Sequence, residues 1–157
     1  MQEKIILVAS QLEYEQIRPL TNLKIINTGI GATNVIESLK NLDKNTHIVN
    51  IGYAGSNIIP RGEVVKIKNC CMYHPVAGEF EEKVYKLNGN IDCYTSGDFV
   101  TATTIKEPVV FDMELAIICA LGFKNLESYK VVSDTLNITQ FEEANFIESF
   151  EQILEKL

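Results

Sequence analysis

At 157 residues, with 46% hydrophobic and 8% aromatic side chains, the chain is expected to fold as one domain over 1–157, and its composition excludes disorder. Its 14 basic against 21 acidic residues leave a net charge of −7, which excludes a nucleic-acid backbone or an anionic membrane as main partner, since each requires a cationic face. No apolar run approaches the ~20 residues that span a bilayer, and the N-terminus lacks a signal peptide's apolar core and cleavage site, so a cytoplasmic protein is expected.

Lys4 to Val8 is a short aliphatic run of the kind found in buried parallel strands. Leu12 to Leu20 follows as a helix with Ser10 as its N-cap, and Leu23 to Thr28 is a second strand ending in Gly29-Ile30-Gly31. Asn34 to Leu42 has helical spacing, and His47 to Ile51 is a third strand running into Gly52-Tyr53-Ala54-Gly55. A strand–helix–strand–helix–strand opening implies right-handed crossovers and a mostly parallel sheet.

Beyond Pro60 the texture changes to short strands, Glu63–Ile67, Cys70–Tyr73, Lys83–Leu87 and Ile91–Tyr94, joined by turns. Val109 to Phe111 is another strand, and Asp112 to Leu121 reads as a helix stopped by Gly122. Tyr129 to Val132 is a strand ending at Ser133-Asp134, and an amphipathic helix from Phe141 to Leu157 closes the chain. Cys70, Cys71, Cys93 and Cys119 show no C-x-x-C spacing, and only His47 and His74 accompany them. Free buried thiols are therefore expected, with no metal site.

In open α/β sheets, ligands bind at the carboxyl ends of strands. Ala9–Glu13, Gly29–Gly31, Gly52–Gly55, Ser96–Val100 and Ser133–Asp134 all fall there. Singly, each has a plain structural reading. Gly29-Ile30-Gly31 lacks the third glycine and the acidic partner of a dinucleotide fingerprint and reads as a tight turn. Asp134 by itself reads as a cap, Glu114 as a carboxylate within an apolar helix that faces either solvent or a cleft, and Phe99 as core.

Together and in order, five blocks carry a resemblance: Ala9-x-x-x-Glu13, Asn50-Ile51-Gly52-Tyr53-Ala54-Gly55, Ser96-Gly97-Asp98-Phe99-Val100, Phe111-Asp112-Met113-Glu114 and Val131-Val132-Ser133-Asp134. The chain resembles the purine nucleoside phosphorylase/nucleosidase superfamily, in particular its hydrolytic branch of methylthioadenosine/S-adenosylhomocysteine nucleosidase and futalosine hydrolase. The resemblance implies a three-layer α/β/α fold with a mixed, mostly parallel central sheet. It implies a purine nucleoside as substrate, no cofactor or metal, and a homodimer. Glu13 would activate the attacking water, and Asp134, oriented by Ser133, would protonate N7 of the base. Glu114 would bind ribose hydroxyls, Met113 would line the sugar pocket, and Phe99 would stack on the base. The Val100 backbone would bond the base edge, and Ala54 and Gly55 would line the site near base and sugar.

These residue types suit the chemistry. Breaking an N-glycosidic bond leaves positive charge on the sugar and negative charge on the departing base, so carboxylates by the one and an acid by the other stabilise both. A phosphorylase would need a cationic cradle for phosphate, and the family's phosphorylases carry a Gly-Asp-Pro-x-Arg-type segment where this chain has Ala9-Ser10-Gln11-Leu12-Glu13. Hydrolysis is therefore expected, with phosphorolysis or a non-catalytic nucleoside-binding role as the alternatives. Relative to the family the chain is short between Val100 and Val109 and between Asp134 and Phe141, which implies a pocket that is more open, differently shaped or no longer catalytic.

Overall fold

The computed structural model describes residues 3–157. Its first half follows the expected alternation. Strand β1 (Lys4–Val8) lies parallel to β2 (Lys24–Asn27) on one edge and to β3 (His47–Ser56) on the other. Helix α1 (Gln11–Ile17) joins β1 to β2, and α2 (Ala32–Leu39) joins β2 to β3. Side-chain alternation along β1 sends Ile6 and Val8 to one face and Ile5 and Leu7 to the other. The first face packs under α1 and the C-terminal helix α5 (Ile147–Glu155), where Ile17, Phe150 and Ile153 are fully buried. The second face packs under α2 and α3 (Leu115–Ala120) through Val35, Leu39 and Ile118. A buried side chain of this size contributes roughly 1.5–3 kcal/mol, so both helical layers are held chiefly by apolar contact.

The second half departs from an open sandwich. Where two strands were expected at Glu63–Ile67 and Cys70–Tyr73, a single strand β4 (Val64–His74) runs through. It pairs antiparallel with β9 (Asn125–Asp134) over Val64–Lys66, then parallel with β7 (Ile91–Thr95) from Ile67 onward, with a register irregularity between Ile67 and Asn69. Two short strands, β5 (Glu79–Phe80) and β6 (Tyr85–Lys86), pair antiparallel with β4. Strand β7 is parallel to β8 (Val109–Asp112), and β8 is antiparallel to the end of β3 through Gly55 and Ser56.

Because β1 pairs β3 only as far as Asn50, the edge beyond is free for β8, while β9 lies along the other edge of β3. Strands β3, β8, β7, β4 and β9 therefore close on one another. The sheet is mixed, as expected, but it curls into a closed ring with β1 and β2 as an extension, so a flat three-layer sandwich describes only its first half. Ala54, Val65, Ile67, Cys70, Cys93, Val110, Leu115 and Val132 form the buried cluster of this half. The cysteines are free thiols, with Cys119 less buried than the other three.

Two helical expectations are corrected. Asp112 ends β8 rather than opening a helix, and Glu114 stands just before α3 without a capping bond from its side chain. The closing helix is two: α4 (Ile138–Glu142), capped by Asn137, and α5, separated where the Phe146 N–H leaves the helical ladder to donate to the Tyr53 hydroxyl at 2.9 Å.

Candidate active site

The carboxyl ends of β1, β3, β8 and β9 border a cavity of about 480 Å³. Of the residues expected at the site, Glu13, Ala54, Gly55, Phe99, Met113, Glu114, Ser133 and Asp134 all line it. Val100 stands apart. Its side chain is buried against Tyr73, Val109 and Phe111, and it borders only a small recess beside Phe99 and Asp134.

Glu13 is 4% exposed although it lies on the first turn of a surface helix. A capping box aims it: the Ser10 hydroxyl accepts from the Glu13 N–H, while Glu13 Oε1 accepts from the N–H groups of Ser10 (3.1 Å) and Ala9 (2.9 Å). Its Oε2 accepts from the Tyr53 N–H at 2.7 Å, tying the end of β1 to the end of β3. Burial pushes its pKa up, against the nearby Lys130 charge and these backbone donors.

Asp134 closes β9. Its Oδ2 accepts from the Ser133 hydroxyl at 2.6 Å, and its Oδ1 accepts from the N–H groups of Leu136 (2.9 Å) and Asn137 (3.2 Å). Asp134 thus holds the loop before α4, whose N-cap is Asn137, and also stands on the cavity wall. Burial raises its pKa, with Ser133, the two backbone N–H groups and Arg61 opposing. Leu136, just beyond, sits at φ 65° in the left-handed region, a cost of roughly 1–2 kcal/mol held in place by that Asp134 contact and by packing on Val100 and Phe111.

Two glycines set how near the backbone comes to these acids. A Cβ on Gly52 would lie 2.6 Å from Glu13 Oε2, and one on Gly55 would lie 2.7 Å from Asp134 Oδ1. The Gly52–Gly55 segment is thus no turn but part of β3, kept free of side chains at its two ends where the acids approach.

Glu114 lies between β8 and α3 and accepts from the Gly31 N–H at 3.3 Å. The glycine turn after β2, unremarkable as a fingerprint, thus reaches the site through this bond and through Ile30 on the cavity wall. Burial first, and the Asp112 and Glu13 charges after it, push the Glu114 pKa up to about 8, with Lys130 opposing.

Sequence reasoning missed Lys130. It is 2% exposed on β9, register partner to Gly52, with Nζ 3.2 Å from Asp112 Oδ2. Burial disfavours its charge, but Asp112, Glu114 and Glu13 around it outweigh that and hold its pKa above the ordinary value. Asp112 is further fixed by the Thr95 hydroxyl (2.5 Å) and the Leu115 N–H (2.8 Å). A lone lysine between Tyr129 and Val131 in an apolar strand was the available signal. Phe141 was also missed, because it read only as the first residue of the closing helix. It lines the cavity, with its ring centroid 6.2 Å from that of Phe99.

The wall carries six acidic residues, Glu13, Asp98, Asp112, Glu114, Asp134 and Glu142, and four aromatic ones, Tyr53, Phe99, Phe111 and Phe141. No arginine or lysine is among the lining residues. Arg18 donates to the carbonyls of Thr21 and Leu23, and Arg61 to those of Ser133 and Gln140. Among the described residues, no group of three or more His, Cys, Asp or Glu could hold a metal ion, and no helix is long and apolar enough to cross a membrane.

The sequence matches no protein-family model and no curated protein. The structure does find neighbours. The Chlamydia trachomatis protein CT263 (MTAN) superposes with a TM-score of 0.82 at 12% identity, over 99% of this chain and 97% of that one. The 5′-methylthioadenosine/S-adenosylhomocysteine nucleosidase (MTAN) of Helicobacter pylori follows at 0.74 and 12% identity, with 99% of each chain covered. The futalosine hydrolase of the same organism gives 0.73 at 12% identity, over 99% of this chain and 98% of that one.

The chain has the nucleosidase fold. The five short blocks implied a likeness to such proteins, and the fold is the part of it that the structure shares with these neighbours. Within this nucleosidase fold, the blocks at the ends of β1, β3, β8 and β9 converge on one cavity.

Proposed function

We propose that the protein is a purine nucleosidase that hydrolyses the N-glycosidic bond of an adenosine-type nucleoside, of the methylthioadenosine, S-adenosylhomocysteine or futalosine kind. One observation carries the reading: Glu13, Glu114 and Asp134, far apart in sequence, line a single cavity beside Phe99. Asp134 donates a proton to N7 of the base, for which its raised pKa is suited, since only the neutral acid can donate. Glu13 holds and deprotonates the attacking water, and Glu114 hydrogen-bonds the ribose hydroxyls. Ser133 orients Asp134, while Phe99 stacks on the base and the Val100 backbone bonds its edge. Ala54, Gly55 and Met113 shape the pocket around base and sugar. General acid–base catalysis of this type supplies on the order of 10²–10⁴ in rate per group.

Hydrolysis is preferred to phosphorolysis because the cavity lining lacks a cation to receive phosphate and both arginines are engaged with backbone carbonyls. A cytoplasmic homodimer goes with this reading. The test is to incubate the protein with methylthioadenosine, S-adenosylhomocysteine and futalosine, with and without phosphate, and to measure free base by chromatography. Release independent of phosphate is expected. Release only in phosphate would make it a phosphorylase, and nucleoside binding without release would make it a binding protein.

A further inference from the structure

A second cavity, of about 540 Å³, opens at the other end of α3, between the β6 segment and the start of β9. Lys83, Lys86 and Lys124 line it, and no acidic residue does. All three are exposed, and none has a carboxylate within 4 Å among the described residues. Lys44, outside the lining, has its Nζ 4.4 Å from the centroid of the Phe123 ring that forms part of the wall.

In a chain of net charge −7 this is an unusual local excess. Converging like charges repel, and the repulsion is relieved when an anion enters. The walls are also fixed in advance. Lys86 pairs with Asn69 of β4, the Leu87 N–H donates to the Lys68 carbonyl at 2.7 Å, and the Lys124 N–H donates to the Lys44 carbonyl at 2.9 Å. Ligand entry therefore orders side chains and not backbone, which lowers the entropy lost on binding. The volume lies within the range of small-molecule sites. Tyr85 and Phe123 add flat apolar surface beside the lysines, and Asn88 adds an amide.

We propose that this cavity binds a small phosphorylated molecule, with Lys83, Lys86 and Lys124 gripping its phosphate or pyrophosphate group. The site is separate from the nucleoside cavity: Glu114, before α3, lines the one, and Cys119, near its end, lines the other.

The test is isothermal titration at low salt with two probes, inorganic pyrophosphate and adenosine 5′-diphosphate, on the wild-type chain and on the triple variant Lys83→Gln/Lys86→Gln/Lys124→Gln. Saturable binding of one equivalent of at least one probe is expected. Each single substitution should weaken it about tenfold, as for loss of one charge-assisted contact, and the triple variant should abolish it. Affinity should also fall as salt rises. Pyrophosphate binding as well as the nucleotide would identify the phosphate itself as the recognised group. Lysine-dependent binding of the nucleotide alone would add the aromatic wall to the recognition. No saturable binding by either probe, or binding that survives the triple substitution with the melting temperature unchanged, would overturn the proposal. Should the triple variant melt early, the three single variants decide instead.

Discussion

Asp134 and Glu13 each serve the backbone as well as the cavity. Asp134 accepts from two N–H groups and one hydroxyl, and Glu13 accepts from three N–H groups. On the proposed function, Asp134→Asn should lower kcat at least 10²-fold while adenine affinity, measured by titration, stays within a few-fold. Glu13→Gln should lose turnover similarly, and it should also melt earlier, because an amide nitrogen cannot accept the Tyr53 or Ala9 N–H. Wild-type turnover in either variant would remove the role assigned to it. Glu114 yields a pH prediction. Its folded pKa is raised from 4.5 to about 8, so the stability linked to its proton is fully present below pH 4.5 and is lost as pH rises toward 8. Glu114→Gln, which keeps an acceptor for Gly31, should melt close to wild type at pH 5 and several degrees above it at pH 8. Scanning calorimetry at the two values checks this. An equal offset at both would mean that the carboxyl does not titrate in that window.

The elements matter through where they stop. β1, β3, β8 and β9 all deliver their last residues to one rim, and close approach there depends on Gly52 and Gly55. Gly52→Ala should push Glu13 off its Tyr53 bond, and Gly55→Ala should displace Asp134. Each is expected to cut kcat at least tenfold with a modest fall in melting temperature, since the strand pairing of β3 with β9 does not need a glycine. Unchanged kinetics in both would show that neither carboxylate's position matters to turnover. The divided C-terminal helix belongs to this scale too. Its break lets α4 carry Ile138 and Phe141 to the cavity while α5 buries Phe150 and Ile153 in the core.

Across the whole molecule, the ring of β3, β8, β7, β4 and β9 encloses a buried charge cluster in which Lys130 faces Asp112, Glu114 and Glu13. Removing one partner of a buried pair costs about 3–5 kcal/mol, because the other charge is left uncompensated. Lys130→Met should therefore destabilise by that order in chemical denaturation, and Lys130→Arg should recover most of it. A stable Lys130→Met variant would mean that the Lys130–Asp112 pair does not hold the fold together. The ring explains why a lysine can be kept dry here. β9 is hydrogen-bonded on both edges, and its side chains from Ser128 to Asp134 are buried throughout.

Read alone, the sequence determined the β1–α1–β2–α2–β3 opening, since strand and helix periodicities there are local and uninterrupted. It also marked the ends of β1 and β9, beside which Glu13 and Asp134 stand, because polar residues interrupt apolar runs where a strand stops, whereas the third strand, expected to end at Ile51, runs on through Gly52–Gly55 to Ser56. Tertiary structure decided what periodicity cannot encode. Whether Glu63–Ile67 and Cys70–Tyr73 are one strand or two depends on β9 and β7 arriving in succession as partners. Whether Lys130 is a stray charge or the counter-ion of a buried acid cluster depends on Asp112, distant in sequence, lying across from it. Pairing between distant segments sets both, and local sequence carries no record of it.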